Sequence, residues 1–447
     1  MTTSTSSLVR RLGTGDAVVI GLGSMIGAGV FAAFGPAARA AGSGLLIGLA
    51  LAAVIAYCNA AASAQLAAAY PTSGGTYIYG RERLGPWWGF TAGWGFVVGK
   101  TASCAAMALT FASYAVPGPS WAQRLVAVAA VVALAALNYR GVTKTAFVTR
   151  VLVATTLLAL AVVVVGIAAG GLATSANLGG WSALGAHGPN GILQAGGLLF
   201  FAFAGYARIA TMGEEVRDPE RTIPRAIPLA LGITVVLYLV VGVVALAAAG
   251  PAVLAASHAP ITAAVRAAGA AWSVPIVRVG AAIASLGSLL ALIAGIGRTT
   301  LAMARNGDLP RGLAVVEERR QVPARAELAV AAVVALLVVT TDLRGAIGFS
   351  SFGVLLYYAV ANASAYTQDA AHRRWPRALN IVGLVGCITL VVTLPVASVT
   401  AGIAVLVVGV ALRALLRRGS AGTSRGIRRT GRSPAHLPSS PPRSPGR

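Results

Sequence analysis

The sequence predicts a polytopic α-helical membrane protein, and three observations lead to this fold class. Apolar residues make up 57% of the 447 residues, enough for about a dozen membrane crossings of roughly 20 apolar residues each. Charged residues make up only 11%, against about 25% in soluble proteins. The apolar residues occur in long blocks rather than in alternating or narrow amphipathic patterns. A soluble globular domain does not fit this composition.

Each long apolar block is interpreted as one membrane-spanning helix. The chain start is polar and the first block shows no small-residue cleavage pattern, so we expect the first helix to remain in the mature protein. The predicted crossings, about a dozen in number, cover residues 17–34, 45–69, 88–116, 121–137, 147–167, 192–212, 227–249, 274–303, 326–341, 347–366, 378–394 and 398–416.

The 35 Lys and Arg residues predict the orientation of these crossings, because cytoplasmic loops carry the excess of positive charge. Most of them fall on one side of the membrane if the N-terminus is cytoplasmic. We therefore expect a multi-pass protein of the plasma membrane with both termini in the cytoplasm. The net charge of +23 is dispersed over short loops and a tail, which does not suit a nucleic-acid-binding face.

Composition divides the chain into three parts. Residues 1–14 form a polar cytoplasmic segment, and residues 15–418 form the transmembrane domain. Residues 419–447 are rich in Gly, Ser, Pro and Arg, a composition that cannot bury a core. We expect this last part to be a disordered basic cytoplasmic tail.

The first crossing carries four glycines between Gly21 and Gly29, which makes an unwound segment at mid-membrane plausible. Unpaired backbone groups at that depth are tolerated only where they line a cavity or meet a ligand. Close helix packing through Gly23 and Gly27 is the alternative interpretation. A dinucleotide-binding loop is not supported, because no strand precedes these glycines.

The sixth crossing contains a second candidate break, at Phe200 to Ala207. The first and sixth crossings are five helices apart, as in an inverted repeat whose two discontinuous helices face a central site. The paired breaks therefore predict a transport site between the two helices.

With these motifs the sequence resembles the amino acid, polyamine and organocation transporter superfamily, in particular bacterial amino acid permeases related to cationic amino acid transporters. The resemblance covers most of the chain. It implies a LeuT-like fold of 12 helices, with a 5+5 inverted repeat, discontinuous helices 1 and 6 and two extra C-terminal helices. The motifs that carry it are Gly21–Phe31, Tyr70–Tyr77, Phe201–Tyr206, Glu214–Pro224 and Arg298–Asp308.

The resemblance also implies a substrate site. The backbone of the first break would bind a carboxylate, a role that partial positive charge at a half-helix N-terminus suits. Carbonyl groups of the second break would bind an ammonium group, and apolar side chains would line the pocket. The implied substrate-binding residues are Met25, Ile26, Gly27, Ala28, Gly29, Phe201, Ala202, Phe203, Ala204 and Tyr206.

No carboxylate is identifiable near either break, so we expect a neutral or apolar amino acid as substrate. A cationic amino acid or a polyamine is the alternative. The implied activity is secondary active uptake by alternating access, with rocking of the helices around the site. A transporter-fold sensor is a further alternative, whereas no cluster of nucleophile, base or metal ligands suggests an enzyme.

Uptake of the amino acid is expected to be coupled to the movement of a proton. Some members of the superfamily carry a lysine in helix five, but Thr156 occupies that position here. Lys100, near the middle of the third crossing, is the candidate for exchanging a proton, and a structural ion pair is its alternative role. Sodium coupling through the hydroxyls of Thr156, Ser285 and Ser288, or uncoupled exchange, are the competing interpretations.

Arg208, Glu214 and Glu215 are predicted to form an inner gate, since arginine keeps its charge and requires a carboxylate partner. The remaining expectations concern partners. We expect no cofactor and no bound metal, an amino acid and the lipid bilayer as partners, no nucleic acid, and function as a monomer.

Overall fold

A computed structural model of the protein describes residues 12–71, 74–140, 146–179, 181–213, 215–317 and 323–427. Within these ranges the chain is helical without a strand, and the backbone of Leu12 makes an isolated bridge with Val216. The helices are α1 Thr14–Met25, α2 Ala28–Ala32, α3 Phe34–Ala41, α4 Leu45–Ala69, α5 Thr76–Leu84, α6 Pro86–Ala115, α7 Ser120–Tyr139, α8 Ala146–Gly170, α9 Trp181–Leu184, α10 Gly188–Phe203, α11 Ala207–Ala210, α12 Pro219–Ala256, α13 Pro260–Ala267, α14 Val274–Arg305, α15 Ala324–Thr340, α16 Leu343–Tyr366, α17 Arg377–Thr393 and α18 Val396–Ile427.

The prediction of an all-helical membrane protein is confirmed. In the described part of the chain, 9 segments are long and apolar enough to cross a membrane. They coincide with the predicted first to fifth, seventh, eighth, tenth and twelfth crossings. The sixth is interrupted between α10 and α11, while α15 and α17 have 17 residues each, about 25 Å of helix.

Two helices extend beyond their predicted limits. Helix α12 begins at Pro219, eight residues before the apolar block, because proline suits the first helical position and Glu220 favours the first turn. Helix α18 continues to Ile427, past the predicted start of the tail at residue 419. Residues 428–447 lie outside the described part, so a disordered tail there stays a prediction.

The helices form an inner group surrounded by an outer group. Helices α6 and α16 pack along each other and are mostly buried; α14 packs against α6, and α4 and α10 pack against α16. Helix α12 packs against α4, and α1 packs against α12. The outer surface exposes large aliphatic side chains, which need a lipid environment. Examples are Val132, Leu158, Val236, Leu336, Val392 and Val407.

One end of the molecule, here called the basic end, contains a buried carboxylate that connects distant parts of the chain. Asp308, which follows α14 and is 0% exposed, accepts hydrogen bonds from Tyr77 at 2.8 Å, Arg81 at 3.0 Å and Arg413 at 2.8 Å. Burial and the adjacent Asp308 raise the pKa of Tyr77 to about 12, so its hydroxyl keeps the proton that it donates. Arg413 is also 0% exposed, and its guanidinium lies over the ring of Trp87 at 4.3 Å.

Replacing Asp308 with Ala is expected to destabilise the protein by about 3 to 5 kcal/mol, because the buried Arg413 loses its neutralising partner. Thermal unfolding of the purified protein in detergent measures the effect. The matched control is Asp369→Ala, since the Asp369 side chain is 78% exposed and lies 3.9 Å from Arg83. An exposed pair contributes at most about 1 kcal/mol. Equal unfolding temperatures for the two variants would contradict a structural role for Asp308.

Candidate functional site

The first crossing is broken where its glycines predict. Helix α1 ends at Met25 and α2 begins at Ala28, with Ile26 and Gly27 in non-helical conformations. The N–H of Gly27 donates to the carbonyl of Met25 at 2.8 Å, a bond two residues back that does not belong to a helix. The first N–H groups of α2 are consequently left without intrahelical partners.

The sixth crossing is broken at Ala204 to Tyr206. The N–H of Gly205 donates to the carbonyl of Phe203 at 2.8 Å, and the helix resumes only as the short α11. The interruption falls inside the Phe200–Ala207 segment that the sequence singles out. Both segments that the sequence singles out therefore contain an interruption of the helix.

The two breaks lie directly against each other. A Cβ atom added to Gly205 would lie 2.6 Å from the backbone N of Met25 and would overlap the carbonyl of Ser24. A Cβ added to Gly29 would lie 2.6 Å from the Cα of Ala202. Real Cβ atoms do not approach other atoms this closely, so glycine is required at both positions for the contact between the broken helices.

Glycines also fix the first crossing against the outer helices. A Cβ on Gly27 would lie 3.0 Å from the Cβ of Ser288 in α14, and one on Gly23 would lie 2.9 Å from Val153 in α8. The interpretation of these glycines as packing residues is therefore compatible with the break. Gly23 serves close packing, while Gly27 lies both in the break and in a helix contact.

Tyr238 of α12 connects the two breaks and is missed by the sequence analysis. Its hydroxyl lies 2.7 Å from the carbonyl O of Met25 and 3.2 Å from that of Ala202, so it contacts both broken helices and its single proton has an acceptor on either one. Its ring packs on Phe203 with 5.1 Å between centroids. A tyrosine inside an otherwise aliphatic block is a signal for such a role, because a buried hydroxyl needs a partner.

Lys100 reaches the second break. Its Nζ donates to the carbonyl O of Ala204 at 2.9 Å, and the residue is 7% exposed near the middle of the 30-residue α6. The salt bridges among the described residues include none to Lys100, so the structural ion pair considered as its alternative role is not found there. The Tyr358 hydroxyl of α16 approaches the same carbonyl at 3.5 Å.

The predicted substrate-binding residues lie together at these breaks, and all are buried. Met25, Ile26 and Gly27 form the first break with Ala28 and Gly29 opening the next half-helix. On the other side, Phe201 and Ala202 precede the second break and Phe203, Ala204 and Tyr206 surround it. The ring of Tyr206 packs on that of Tyr358 at 5.0 Å. Both breaks are shielded from solvent in this conformation.

Thr156 lies in α8, and its hydroxyl donates to the carbonyl of Leu152 in its own helix at 2.8 Å. That bond is the ordinary arrangement of a helical threonine. Ser288 is placed differently, because its Oγ lies 3.5 Å from the carbonyl O of Gly23 beside the first break. Among the three hydroxyls considered as sodium ligands, all in the described part of the chain, Ser288 is the one within hydrogen-bond distance of α1.

Two of the three residues predicted to form an inner gate lie in the described part of the chain. Arg208 of α11 lies 3.9 Å from Glu215, with both side chains about one third exposed, whereas Glu214 lies outside the described residues. The backbone carbonyl of Glu215 accepts a hydrogen bond from the N–H of Leu12, and the N–H of Arg217 donates to the carbonyl of Leu12. Asp16 of α1 forms an ion pair with Arg150 of α8. The gating role of Arg208, Glu214 and Glu215 stays a prediction.

Comparison with known proteins identifies the family. The family model described as "Amino acid permease" matches residues 12–412. The chain belongs to the amino acid permease family. An uncharacterized transporter of Mycobacterium tuberculosis is similar to this permease, with 63% identity over 404 residues, 90% of each chain. The resemblance found in the motifs is thereby confirmed.

More distant relatives have names that specify substrates. The branched-chain amino acid permease BcaP of Bacillus subtilis is 28% identical over 343 residues, 72% of this chain and 73% of that protein. The vacuolar cationic amino acid transporter 4 of Arabidopsis thaliana is 28% identical over 373 residues, 78% of this chain and 62% of the relative. The family and the names of these relatives indicate a membrane transporter rather than an enzyme.

Replacing Gly205 with Ala is expected to abolish transport, because the added methyl group overlaps the Ser24 carbonyl and forces the breaks apart. The matched control is Gly232→Ala in α12, where an added Cβ meets nothing within 4 Å. That control gains about 1 kcal/mol of helix propensity and keeps its activity. Uptake of amino acids into proteoliposomes measures both variants. Full uptake by the Gly205 variant would contradict a functional contact between the breaks.

Proposed function

We propose that the protein is a secondary active transporter that takes up an amino acid across the cytoplasmic membrane by alternating access. The paired breaks in the first and sixth crossings carry this proposal. The proposed fold has twelve crossings, ten in a LeuT-like 5+5 inverted repeat and two further helices. The nine long apolar segments supply nine of these crossings, and α15, α17 and the interrupted α10–α11 segment supply the other three. The basic end then faces the cytoplasm together with both termini, in accord with its arginines.

An amino acid matches the two breaks through its two charged groups. Ala33 has helical backbone angles, so α2 and α3 form one continuous half-helix whose free N–H groups at Ala28 and Gly29 point into the break. Such groups bind a carboxylate without a basic side chain. On the opposite side, the carbonyls of Phe201, Ala202 and Ala204 are the acceptors for the ammonium group.

The side chains at the site favour a neutral, apolar amino acid. Ile26, Phe201, Phe203 and Tyr206 supply apolar and aromatic surface, and Lys100 places a cationic group against the second break. A second positive charge on a substrate would be repelled in this low-dielectric environment. Between the substrates named for the distant relatives, the site chemistry therefore favours branched-chain over cationic amino acids.

Proton coupling through Lys100 is proposed because its ammonium group contacts a backbone carbonyl of the second break. Its ammonium group donates to the carbonyl of Ala204 and so stabilises the second break beside the substrate site. Loss of one proton from Lys100 on the cytoplasmic side would leave a neutral amine and weaken this contact, so that proton and substrate are released on the same side of the membrane. Thr156 then has a structural role, and Arg208 with Glu214 and Glu215 forms the cytoplasmic gate.

The substrate proposal predicts the outcome of a competition assay. Uptake of radiolabelled leucine into proteoliposomes under an inward proton gradient is expected to saturate and to be inhibited by isoleucine and valine. Lysine, arginine and putrescine are expected to have little effect, because Lys100 repels a second cation. Stronger inhibition by lysine than by isoleucine would overturn the proposed substrate class.

The coupling proposal predicts the behaviour of Lys100→Met, a variant of similar length that carries no proton. Gradient-driven accumulation of leucine is expected to be lost, whereas exchange of internal for external leucine continues because the breaks remain intact. Lys100→Arg, which keeps its charge at all accessible pH values, is expected to lose accumulation as well. Accumulation by both variants would remove Lys100 from the mechanism.

Sodium coupling is the second candidate, favoured by the position of Ser288 beside Gly23. Leucine accumulation that requires an inward sodium gradient, and that is lost in Ser288→Ala, would support it. Accumulation under a proton gradient in sodium-free buffer would exclude a requirement for sodium.

A further inference from the structure

A set of polar side chains, here called the polar stripe, lies where α4, α16 and α17 meet. Asn59 of α4 is its centre, since its Oδ1 accepts from Asn362 Nδ2 at 2.6 Å and from Cys387 Sγ at 3.3 Å. The proposed transport site does not use these residues apart from Tyr358. The polar stripe consists of Asn59, Ser63, Tyr358, Asn362, Asn380 and Cys387.

The polar stripe runs along the helix axes from the second break toward the basic end. Tyr358 and Asn362 are four residues apart, as are Asn59 and Ser63, so each pair shares one face of its helix. Asn380 lies near the start of α17 at the basic end, two turns from Cys387. The polar groups therefore form a line through an otherwise apolar interface.

Several atoms of the polar stripe have no hydrogen-bond partner among the described residues. These atoms are Ser63 Oγ, Asn362 Oδ1 and both amide atoms of Asn380. Their residues are at most 2% exposed. Each unsatisfied polar group costs several kcal/mol in a membrane interior, and buried groups of this kind normally bind ordered water.

Adhesion between helices does not account for the polar stripe. A direct bond such as that between Asn59 and Asn362 is sufficient to join two membrane helices. Asn380, however, has neither amide atom paired within the described residues. A buried serine in a helix can donate to a carbonyl of its own helix, as Ser364 does to Val360 at 2.8 Å. The Oγ of Ser63 makes no such bond. These groups are arranged to contact a small polar molecule.

One end of the polar stripe meets the partner of Lys100. The side chain of Asn362 donates to the backbone carbonyl of Tyr358 at 2.9 Å, and the Tyr358 hydroxyl lies 3.5 Å from the Ala204 carbonyl O. The same carbonyl accepts from Lys100 Nζ at 2.9 Å. The polar stripe thus extends toward the basic end from Tyr358, whose hydroxyl approaches the acceptor of Lys100.

We infer that the polar stripe holds a chain of water molecules through which Lys100 releases its proton to the cytoplasm. This inference rests on the proposed function for the role of Lys100. In the step concerned, the ammonium group transfers one proton to a water molecule and becomes a neutral amine, and the excess proton passes along the water chain. The asparagines and Ser63 bind the waters without titrating themselves.

The chain contains its own probes for water at the polar stripe. It has three cysteines, and Cys387 lies in the stripe whereas Cys104 lies in α6 one turn from Lys100. Both are 0% exposed, so burial alone predicts equal reactivity. Two single-cysteine proteins are treated with silver ions in detergent micelles. The first carries Cys58→Ala and Cys104→Ala and retains Cys387; the second carries Cys58→Ala and Cys387→Ala and retains Cys104. The thiols that remain free are then counted with maleimide after denaturation.

Cys387 is expected to react with silver at least about tenfold faster than Cys104, because a thiol in dry apolar surroundings is inert. Asn380→Leu should slow the reaction of Cys387 by a similar factor, whereas Asn380→Ser should leave it unchanged. The matched control is Asn138→Leu, since Asn138 is also buried in a helix but donates to the Leu290 carbonyl at 3.1 Å. Equal rates for Cys387 and Cys104 would overturn the water chain, even if the leucine variant did not fold.

A transport measurement then tests the role of the water chain. In proteoliposomes containing a pH-sensitive dye, Asn380→Leu is expected to lose the proton influx that accompanies leucine uptake while leucine exchange continues. Unchanged proton influx would overturn the route. A different result would test the proposed function itself. If Cys387 reacts quickly with silver but the unsubstituted protein shows no proton influx during leucine uptake, the water chain stands and proton coupling is excluded. Failure of the water chain and failure of proton coupling are therefore distinguishable.

Discussion

Backbone groups freed at two points inside an apolar bundle must find partners from other helices, and this requirement organises the centre of the molecule. The Tyr238 hydroxyl lies within hydrogen-bond distance of the carbonyls of Met25 and Ala202, and the carbonyl of Ala204 accepts a hydrogen bond from Lys100. The donors lie on α12 and α6, far apart in the sequence. The broken segments are consequently held by helices of both halves of the chain, and any ligand of the breaks must replace these donors or join them.

The contact between Lys100 and the second break gives the proposed proton coupling a physical basis. In the proposed function, the protonated amine stabilises the Ala204 carbonyl beside the substrate site, and loss of the proton weakens this contact. Proton and substrate would then be bound together and released together. The close contact of Gly205 with Ser24 would pass a movement of the second break to α1.

The breaks could be predicted from the sequence, whereas the groups that satisfy them could not. Glycine density at Gly21–Gly29 and the Phe201–Tyr206 motif report local backbone conformation, which depends on neighbouring residues. The pairing of Tyr238 with two broken helices, or of Asn59 with Asn362, depends on which helices pack together. Hydrophobicity is nearly uniform along these helices, so their facing sides are not distinguished in the sequence. The start of α12 at Pro219 also lies outside the apolar block, because it depends on residues that favour the first helical turn rather than on hydrophobicity.

The arrangement around Asp308 has a consequence for biosynthesis in the cell. Arg81 lies early in the chain, Asp308 follows α14, and Arg413 lies in the last helix. The ribosome therefore completes most of the chain before the carboxylate can meet the buried Arg413. A nascent or truncated protein that lacks α18 would leave Trp87 and Asp308 uncovered at the membrane surface.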